Sequence, residues 1–460
     1  MPSGRVVVSL VTLCVIPWIV SCSHKLDPPA ILLISVDTLR PDHLGLYGYA
    51  RSTSPKIDHW FSNAAVFERS YSTEANTSPS MISVLTGQLP QEHGVRMLLQ
   101  LLPSQTPLLT DMLPSNYQTA GIVANTVLTD EAIGIANRFD YYDDYLDDIE
   151  PYRDIYERNA RRTTDAALHW LNNEYTPQEP SFLWIHYIDP HGPYHPPNEW
   201  DPTFSHDAPV VFDLQKMPGY QREPGVNDGL TYVDRYDEEI AYLDSQIGRL
   251  MEGYAKRTNI DKALIILTAD HGESMMEHEK WFTHGYHVYE EIVRVPLLIR
   301  GPGVSPGKVT GVTSGIDIAP TILQFVDIEP HDFMKGLDLR EARRIPTKRV
   351  VFTEGTWEKH QWRAAIQADR KWMLRIKRGE RTVTKRRFYD LTTDPDELHP
   401  LAWETQSDAS SRLLDLYLID PDPGGLPAQY VKGFNIKAPK VAPHASDEAM
   451  KRLRSLGYVQ

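Results

Sequence analysis

Cysteine is almost missing from this chain: of 460 residues only Cys14 and Cys22 carry a thiol, both near the N-terminus. A disulfide framework is therefore not expected to organise the fold. Positive charge is also scarce, with 47 Lys and Arg against 62 Asp and Glu and a formal net charge of -15. That balance argues against non-specific binding to nucleic acid, and no nucleic-acid partner is expected. It still allows capture of an anion by local positive charge, which Arg40, Lys280 and the histidines would have to supply. Internal repeats and low-complexity tracts are absent as well. What is present is an ordinary globular composition, 41% hydrophobic and 24% charged, with 35 prolines that suggest long ordered loops. At this length a single core usually stops growing, so one large domain plus a smaller one is expected.

The first residues, MPSGRVVVSLVTLCVIPWIVSCSHK, carry one basic residue, then an apolar run and "IVSC". This reads as a secretory signal whose last four residues resemble a lipobox. Residues 1–21 are expected to be a lipoprotein signal peptide, removed to leave Cys22 as a lipid-carrying N-terminus. The mature chain would then hold no free thiol and would sit outside the cytoplasm, anchored to a bacterial membrane at its periplasmic face or on the cell surface. The competing reading is a single membrane-spanning anchor, against which stand the shortness of the run and its interruption by Pro17.

"AILLISVD" (30–37) is a short apolar run ending in a carboxylate, the pattern of a buried parallel strand. "TAGIVAN" (119–125), "SFLWIHYID" (181–189) and "ALIILTAD" (263–270) repeat it. Helical periods lie between them, in "SMISVLTG" (80–87), in 156–175 and in 234–257. The alternation predicts an α/β fold with a doubly wound, mostly parallel sheet flanked by helices. Ligands of such sheets bind beyond the carboxyl ends of the strands, where Asp37, Asp189 and Asp270 would lie. Residues 190–230, rich in Pro and Gly, read as a long loop beside that site. The expected division is a catalytic domain over 22–326, a smaller C-terminal antiparallel-sheet α+β subdomain over 327–418, and an extended tail over 419–460 ending in a short helix.

Two stretches could carry chemistry. "TEANTSPSMISVLTG" (73–87) sets the hydroxyls of Thr77, Ser78 and Ser80 around Pro79, as helix caps or as a nucleophile. "TADHGES" (268–274) sets Asp270 beside His271 after a strand, with Gly272 supplying backbone freedom. Together with Asp37 the pair matches what a divalent cation accepts. An isolated Asp-His-Gly equally reads as a turn cap.

The ordered set of motifs resembles the sulfatase family of the alkaline-phosphatase superfamily. "ILLISVDTLRPDHLGLYGY" is similar to its first metal motif, "TSPSMISVLTG" to its nucleophile motif, "HYIDPHGPY" (186–194) to its central histidine motif, and "TADHGESMMEHEKWFTHGYHVYEEIVRVPLLIRGPG" to its second metal motif. "DIAPTIL" and "YDLTTDPDE" (389–397) resemble later landmarks. The resemblance implies metal ligands at Asp37, Asp270 and His271, with Thr77 at the nucleophile and ligand position in register with Pro79, Ser80, Leu85, Thr86 and Gly87. It implies His191 near the transferred group or leaving oxygen, His284 as an anion contact, Lys280 and, more weakly, His278 in the same loop, and Arg40 holding the nucleophile or a ligand in place.

Two positions depart from the family pattern: Thr38 replaces a second Asp, and Met81 replaces an Arg. Family sulfatases convert Cys or Ser to formylglycine, which threonine cannot become, so no formylglycine is expected. A threonine alkoxide is instead a competent nucleophile at phosphorus. The implied activity is metal-dependent hydrolysis of sulfate or phosphate and phosphonate esters with one divalent ion (Ca, Mn or Zn), phosphoryl chemistry being preferred. The substrate would be a sulfated or phosphorylated glycan, lipid or small molecule. Alternatives are a catalytically disabled sulfatase scaffold serving as a binding lipoprotein, a phosphoglycerol- or phosphoethanolamine-type transferase, and an active sulfatase with an unmodified nucleophile. Oligomeric state is not indicated.

Overall fold

The apolar runs become the strands of one large sheet in a computed structural model that describes residues 29–149, 155–278, 280–357, 360–377 and 383–403 with Met1, Ala409, Ser410 and Arg412. In chain order these strands are β1 (Ala30–Val36), β2 (Ala65–Phe67), β3 (Gln118–Val123), β4 (Tyr141–Asp143), β5 (Ser181–Tyr187), β6 (Leu264–Ala269), β7 (Leu297–Arg300) and β8 (Gly307–Val309). The sheet order is β8-β2-β7-β6-β1-β5-β3-β4. Central β1 is parallel to β5 and β6, and β3 is parallel to β5 and β4. β7 runs antiparallel to both of its neighbours. The central strands are buried on both faces, which is why they read as unbroken apolar runs rather than alternating ones.

The main helices are α1 (Pro55–Trp60), α2 (Thr77–Thr86), α3 (Ala160–Asn173), α4 (Gly229–Arg257) and α5 (Ile318–Phe325). Ile31, Leu33, Phe182, Trp184, Leu264 and Ile266 share one core with α2 and α5. Leu32, Ile34, Leu183, Ile185, Ile265 and Leu267 share the other with α3 and α4. The doubly wound expectation therefore holds. Three helix starts differ from the sequence reading: α2 begins at Thr77 rather than 80, with Asn76 at its N-cap position, and the other two are shifted by a side-chain cap. α4 begins at Gly229 rather than 234, since the Asp228 side chain accepts from Leu230 N. α3 begins at Ala160 rather than 156, since Asn159 accepts from Arg162 N and Tyr156–Glu157 pairs instead with Asp148–Ile149.

Strands β9 (Val351–Trp357), β10 (His360–Gln367), β11 (Arg370–Lys377) and β12 (Val383–Asp390) form an antiparallel meander, as the alternating pattern implied. It is stitched to the segment that leads into α2. Glu354 N donates to Thr73 O at 2.9 Å, and Ala75 N donates to Glu354 O at 2.9 Å. Arg96 clamps the same Glu354 with two hydrogen bonds of 2.8 Å, both side chains being fully buried. Among the described residues no helix is long and apolar enough to cross a membrane. The expectations for residues 1–21, for Cys22 and for the tail over 419–460 lie outside the described residues.

Candidate active site

Register decides which polar side chains meet. Val36 stands opposite Ala269, so Asp37 and Asp270, each the first residue past its strand, lie at adjacent strand ends. His186 stands opposite Ser35 on one side and Val123 on the other. Alternate residues of a strand share a face. Leu33, Ser35 and Asp37 therefore follow one face, as do Trp184 and His186, Ile266, Thr268 and Asp270, and Val123 and Asn125. The apolar members of that face pack on α2. Thr77 is the first residue of α2, so its side chain arrives over the strand ends at the helix's positive pole.

The contacts follow from that placement. Thr77 Oγ1 is 3.4 Å from Asp37 Oδ2 and 3.4 Å from His271 Nε2. His271 Nδ1 is 2.9 Å from the carbonyl oxygen of Gly272, a contact that requires the proton on Nδ1 and leaves the lone pair on Nε2. That Nε2 is also 3.4 Å from Asp270 Oδ2. Asp270 Oδ1 accepts from His271 N at 2.7 Å and from Thr38 N at 3.2 Å. Thr38, the position lacking the second carboxylate, has φ 54° and thus serves the site through its backbone.

His186 and Asn125 were not anticipated. Asn125 Nδ2 donates to Asp37 Oδ2 at 2.5 Å, and its Oδ1 accepts from Val127 N. His186 Nε2 lies 3.6 Å from Asp37 Oδ2. Its Nδ1 is 2.9 Å from Ser35 Oγ, which accepts from Trp184 Nε1 and donates to Ile185 O. That arrangement makes Nδ1 the donor and turns a lone pair on Nε2 toward Asp37. The sequence signal was the parity of Trp184 and His186 within "SFLWIHYID", legible only once the facing strand is known.

These residues fit a divalent cation. Asp37 Oδ1, Asp270 Oδ2 and His186 Nε2 are buried without a hydrogen-bond partner, and ligand atoms of the three residues lie within 4.8 Å of one another. Burial pushes the Asp37 carboxyl up to about 6. Burial and the neighbouring Asp37 push Asp270 up as well, and burial brings His186 down to about 4. Two dry carboxylates beside the neutral His186 imidazole are short of positive charge, the deficit a metal ion removes.

The other expected residues separate into groups. The His284 ring lies against His271, centroids 4.4 Å apart, with its Nδ1 3.2 Å from Glu273 Oε1. The half-buried His191 ring is 5.2 Å from His284, at the rim. Arg40 supplies no local positive charge to Thr77: its guanidinium bonds Asp42, Glu277 and the Glu273 carbonyl, bracing the loop that carries Asp270 and His271. Lys280 is exposed over the Tyr286 ring and, with His278, faces a separate cavity against the C-terminal sheet. The capping expectation for Ser78 and Ser80 fails, because their hydroxyls bond the carbonyls of Val127 (2.8 Å) and Asp270 (2.6 Å). The N-cap position belongs to Asn76, whose amide binds Glu74. Met81 is fully buried in the core beneath α2.

Known proteins share this fold. A family model described as Sulfatase matches residues 29–328, and one described as N-sulphoglucosamine sulphohydrolase, C-terminal, matches 277–419. The chain is 25% identical over 442 residues to an arylsulfatase of Clostridium perfringens, covering 80% of this chain and 89% of that one. It is 25% identical over 335 residues to human iduronate 2-sulfatase, covering 60% of each. Among solved structures, BT4656 in complex with its substrate D-glucosamine-2-N,6-O-disulfate superposes with a TM-score of 0.67 at 18% identity, covering 85% of this chain and 96% of that one. The phosphonate monoester hydrolase of Agrobacterium radiobacter superposes with a TM-score of 0.64 at 18% identity, covering 84% and 94%.

Proposed function

The chain belongs to the sulfatase family, and from that premise we propose a metal-dependent hydrolase of anionic esters in which Thr77 Oγ1 is the covalent nucleophile. One observation carries the reading: Thr77 Oγ1 sits 3.4 Å from both Asp37 Oδ2 and His271 Nε2, at a helix N-terminus inside the metal-binding set. Asp37, Asp270, His271 and His186 would hold one calcium, manganese or zinc ion, with Thr77 beside it. When bound, such an ion neutralises anionic oxygens and favours the alkoxide of a neighbouring hydroxyl.

The residues divide the remaining work. Asp37 Oδ2 accepts the Thr77 hydroxyl proton, and Asn125 holds that carboxylate in place. As the Thr77 oxygen bonds to phosphorus or sulfur, the ester oxygen leaves and takes a proton from His191 at the rim. The positive pole at the start of α2 favours the transferred group's anionic oxygens. Water then attacks in line and releases Thr77. Threonine offers no aldehyde route of escape, so a second attack on the central atom is required, and this favours phosphate and phosphonate esters over sulfate. The relatives named for sulfate esters keep sulfate within the tested range.

The test offers aryl phosphodiester, phosphonate monoester and sulfate ester to purified protein with manganese, zinc or calcium. Expected are turnover lost in Thr77→Ala and a trapped adduct on the Thr77 peptide with the mass of the transferred group, about 80 Da from the sulfate ester and that of the retained organophosphoryl group from the phosphorus esters. Turnover confined to sulfate esters and untouched by Thr77→Ala would defeat the nucleophile assignment. The disabled-scaffold alternative, motivated by Thr38 and Met81, is opposed by the convergence of the buried ligand atoms.

A further inference from the structure

Glu74 is fully buried three residues before Thr77 and lies outside the metal-binding set. Strand pairing puts it there. Glu74 bridges Glu354 of β9 in parallel register, with Glu354 N donating to Thr73 O and Ala75 N donating to Glu354 O, each at 2.9 Å. The Glu74 carboxyl group accepts from Thr356 N of the same strand at 2.9 Å. A buried carboxyl group needs further donors, because burial without them is costly. Asn76 supplies one: its Nδ2 lies 2.9 Å from Glu74 Oε2 and 3.2 Å from Oε1.

That contact sets the orientation of the Asn76 amide. While Nδ2 faces Glu74, Oδ1 packs against Gly285, where an added Cβ would stand only 2.7 Å from it. Gly285 has φ 80° and directly follows His284, so the absence of a side chain there makes room for both the turn and the amide. The Asn76 amide is thus wedged between the segment before Thr77 and the loop that carries His284.

Asn76 occupies the N-cap position of α2 but makes no side-chain cap bond. By residue type it should, since Asn is among the strongest caps and its Oδ1 ordinarily accepts from the N–H of the second or third helical residue. The third residue is Pro79, which has no N–H. A cap by Asn76 would therefore take the Ser78 N–H, the donor immediately after the nucleophile. Glu74 prevents this by holding the amide, and the positive pole of α2 is left without that cap. On the other side of Thr77, the Ser78 and Ser80 hydroxyls bond the carbonyls of Val127 and Asp270. Thr77 is therefore fixed from both directions along the chain.

We propose that Glu74 is a positioning residue for the Thr77 centre: it draws the Asn76 amide off the start of α2 and so reserves the Ser78 N–H for an anionic oxygen of the group transferred to Thr77. The C-terminal sheet becomes a working part of the centre, since Glu354 and Thr356 of β9 fix Glu74. The identity of the anion rests on the proposed function, whereas the placement of Asn76 does not.

Glu74→Leu keeps a side chain of similar size and removes the acceptor. In crystals of that variant, free of ligand, Asn76 Oδ1 should swing to within hydrogen-bond distance of Ser78 N. An Asn76 amide still turned toward position 74 would overturn the proposal, whatever the enzyme turns over. The second readout is calorimetric binding of inorganic phosphate to the full metal-loaded chain. Glu74→Leu should weaken phosphate by about tenfold, the scale of one hydrogen bond to a charged group. Glu74→Gln still holds the Asn76 amide and should bind far closer to wild type. Glu74→Leu/Asn76→Ala should recover most of the loss, because no side chain remains to cap Ser78. That double variant leaves Thr356 N as unpaired as Glu74→Leu does, so the recovery has no source in the fold. Phosphate bound equally by wild type and Glu74→Leu, or no more tightly by the double variant than by Glu74→Leu, would overturn the proposal. Failure of the Thr77 mechanism shows elsewhere, as ester turnover untouched by Thr77→Ala, and leaves the crystal and phosphate results standing.

Discussion

His186 Nε2 lies 3.6 Å from Asp37 Oδ2, while its Nδ1 is anchored 2.9 Å from Ser35 Oγ. A buried imidazole tied at one nitrogen and turned at the other toward a carboxylate is the arrangement of a metal ligand with a fixed tautomer. Asp270→Ala should abolish stoichiometric metal, measured by elemental analysis of protein purified without added salts. His186→Ala should lower metal affinity, and Ser35→Ala should lower it by about 10–100-fold through loss of ring orientation. Full metal content in His186→Ala would remove the histidine from the ligand set.

The raised carboxyls predict a pH dependence for the metal-stripped protein. The Asp37 carboxyl goes from 3.8 to about 6, with Asp270 shifted in the same direction, each chiefly by burial. The native state then binds more protons than the unfolded state across that interval, so stability falls as pH rises from about 4 to 6. Asp37 alone accounts for on the order of 3 kcal/mol of loss by neutral pH. Thermal melts of chelator-treated protein should shift downward over this window, and added manganese should restore the melt most strongly at the high-pH end. A flat profile without metal would contradict the burial of these charges.

Arg96 and Glu354 join the C-terminal meander to the segment preceding Thr77. Arg96→Ala leaves Glu354 buried beside Glu74, whose own carboxyl burial and Glu354 push well above the usual range. The expected loss is about 3–5 kcal/mol in denaturant unfolding. The double replacement Arg96→Met/Glu354→Leu should recover part of it, because the unpaired Glu354 charge is gone while the buried Arg363, 3.8 Å from Glu354, loses that ion pair. Equal losses in the single and double variants would show that packing, not charge, holds this joint.

The lipobox reading makes a prediction independent of the fold. Cells expressing the full chain should incorporate radiolabelled palmitate into it, and Cys22→Ala should abolish the label and release the protein from the membrane fraction. Retention of Cys22→Ala at the membrane with an intact N-terminus would favour the spanning anchor.

Much of the site could be read along the chain because its parts are local signals. An apolar run that stops at Asp37 or Asp270 states both a buried strand and a carboxylate at its end, and "SMISVLTG" states a helix close after Thr77, although the helix in fact begins at Thr77 itself. Period-two alternation in β10, β11 and β12 likewise announced an antiparallel sheet. Local reasoning failed where several partners compete for one group. Ser78 and Ser80 are good caps by residue type, yet the carbonyls of Val127 and Asp270 lie closer. Arg40 looked available to an anion, but Asp42 and Glu277 engage it first.

The amino-acid pattern was thus sufficient for strand and helix identity and for the carboxylates at the strand ends, since each depends on neighbours within a few residues, whereas Thr77 was singled out from Ser78 and Ser80 only by the family resemblance. His186 and Asn125 entered only through strand order, which sets β5 between β1 and β3 and brings their side chains to Asp37. The same holds for Glu74, whose carboxyl group meets Thr356 N 282 residues away in sequence. Strand order and sheet docking depend on how whole faces bury against one another, a free energy summed over distant segments that no single stretch of chain contains.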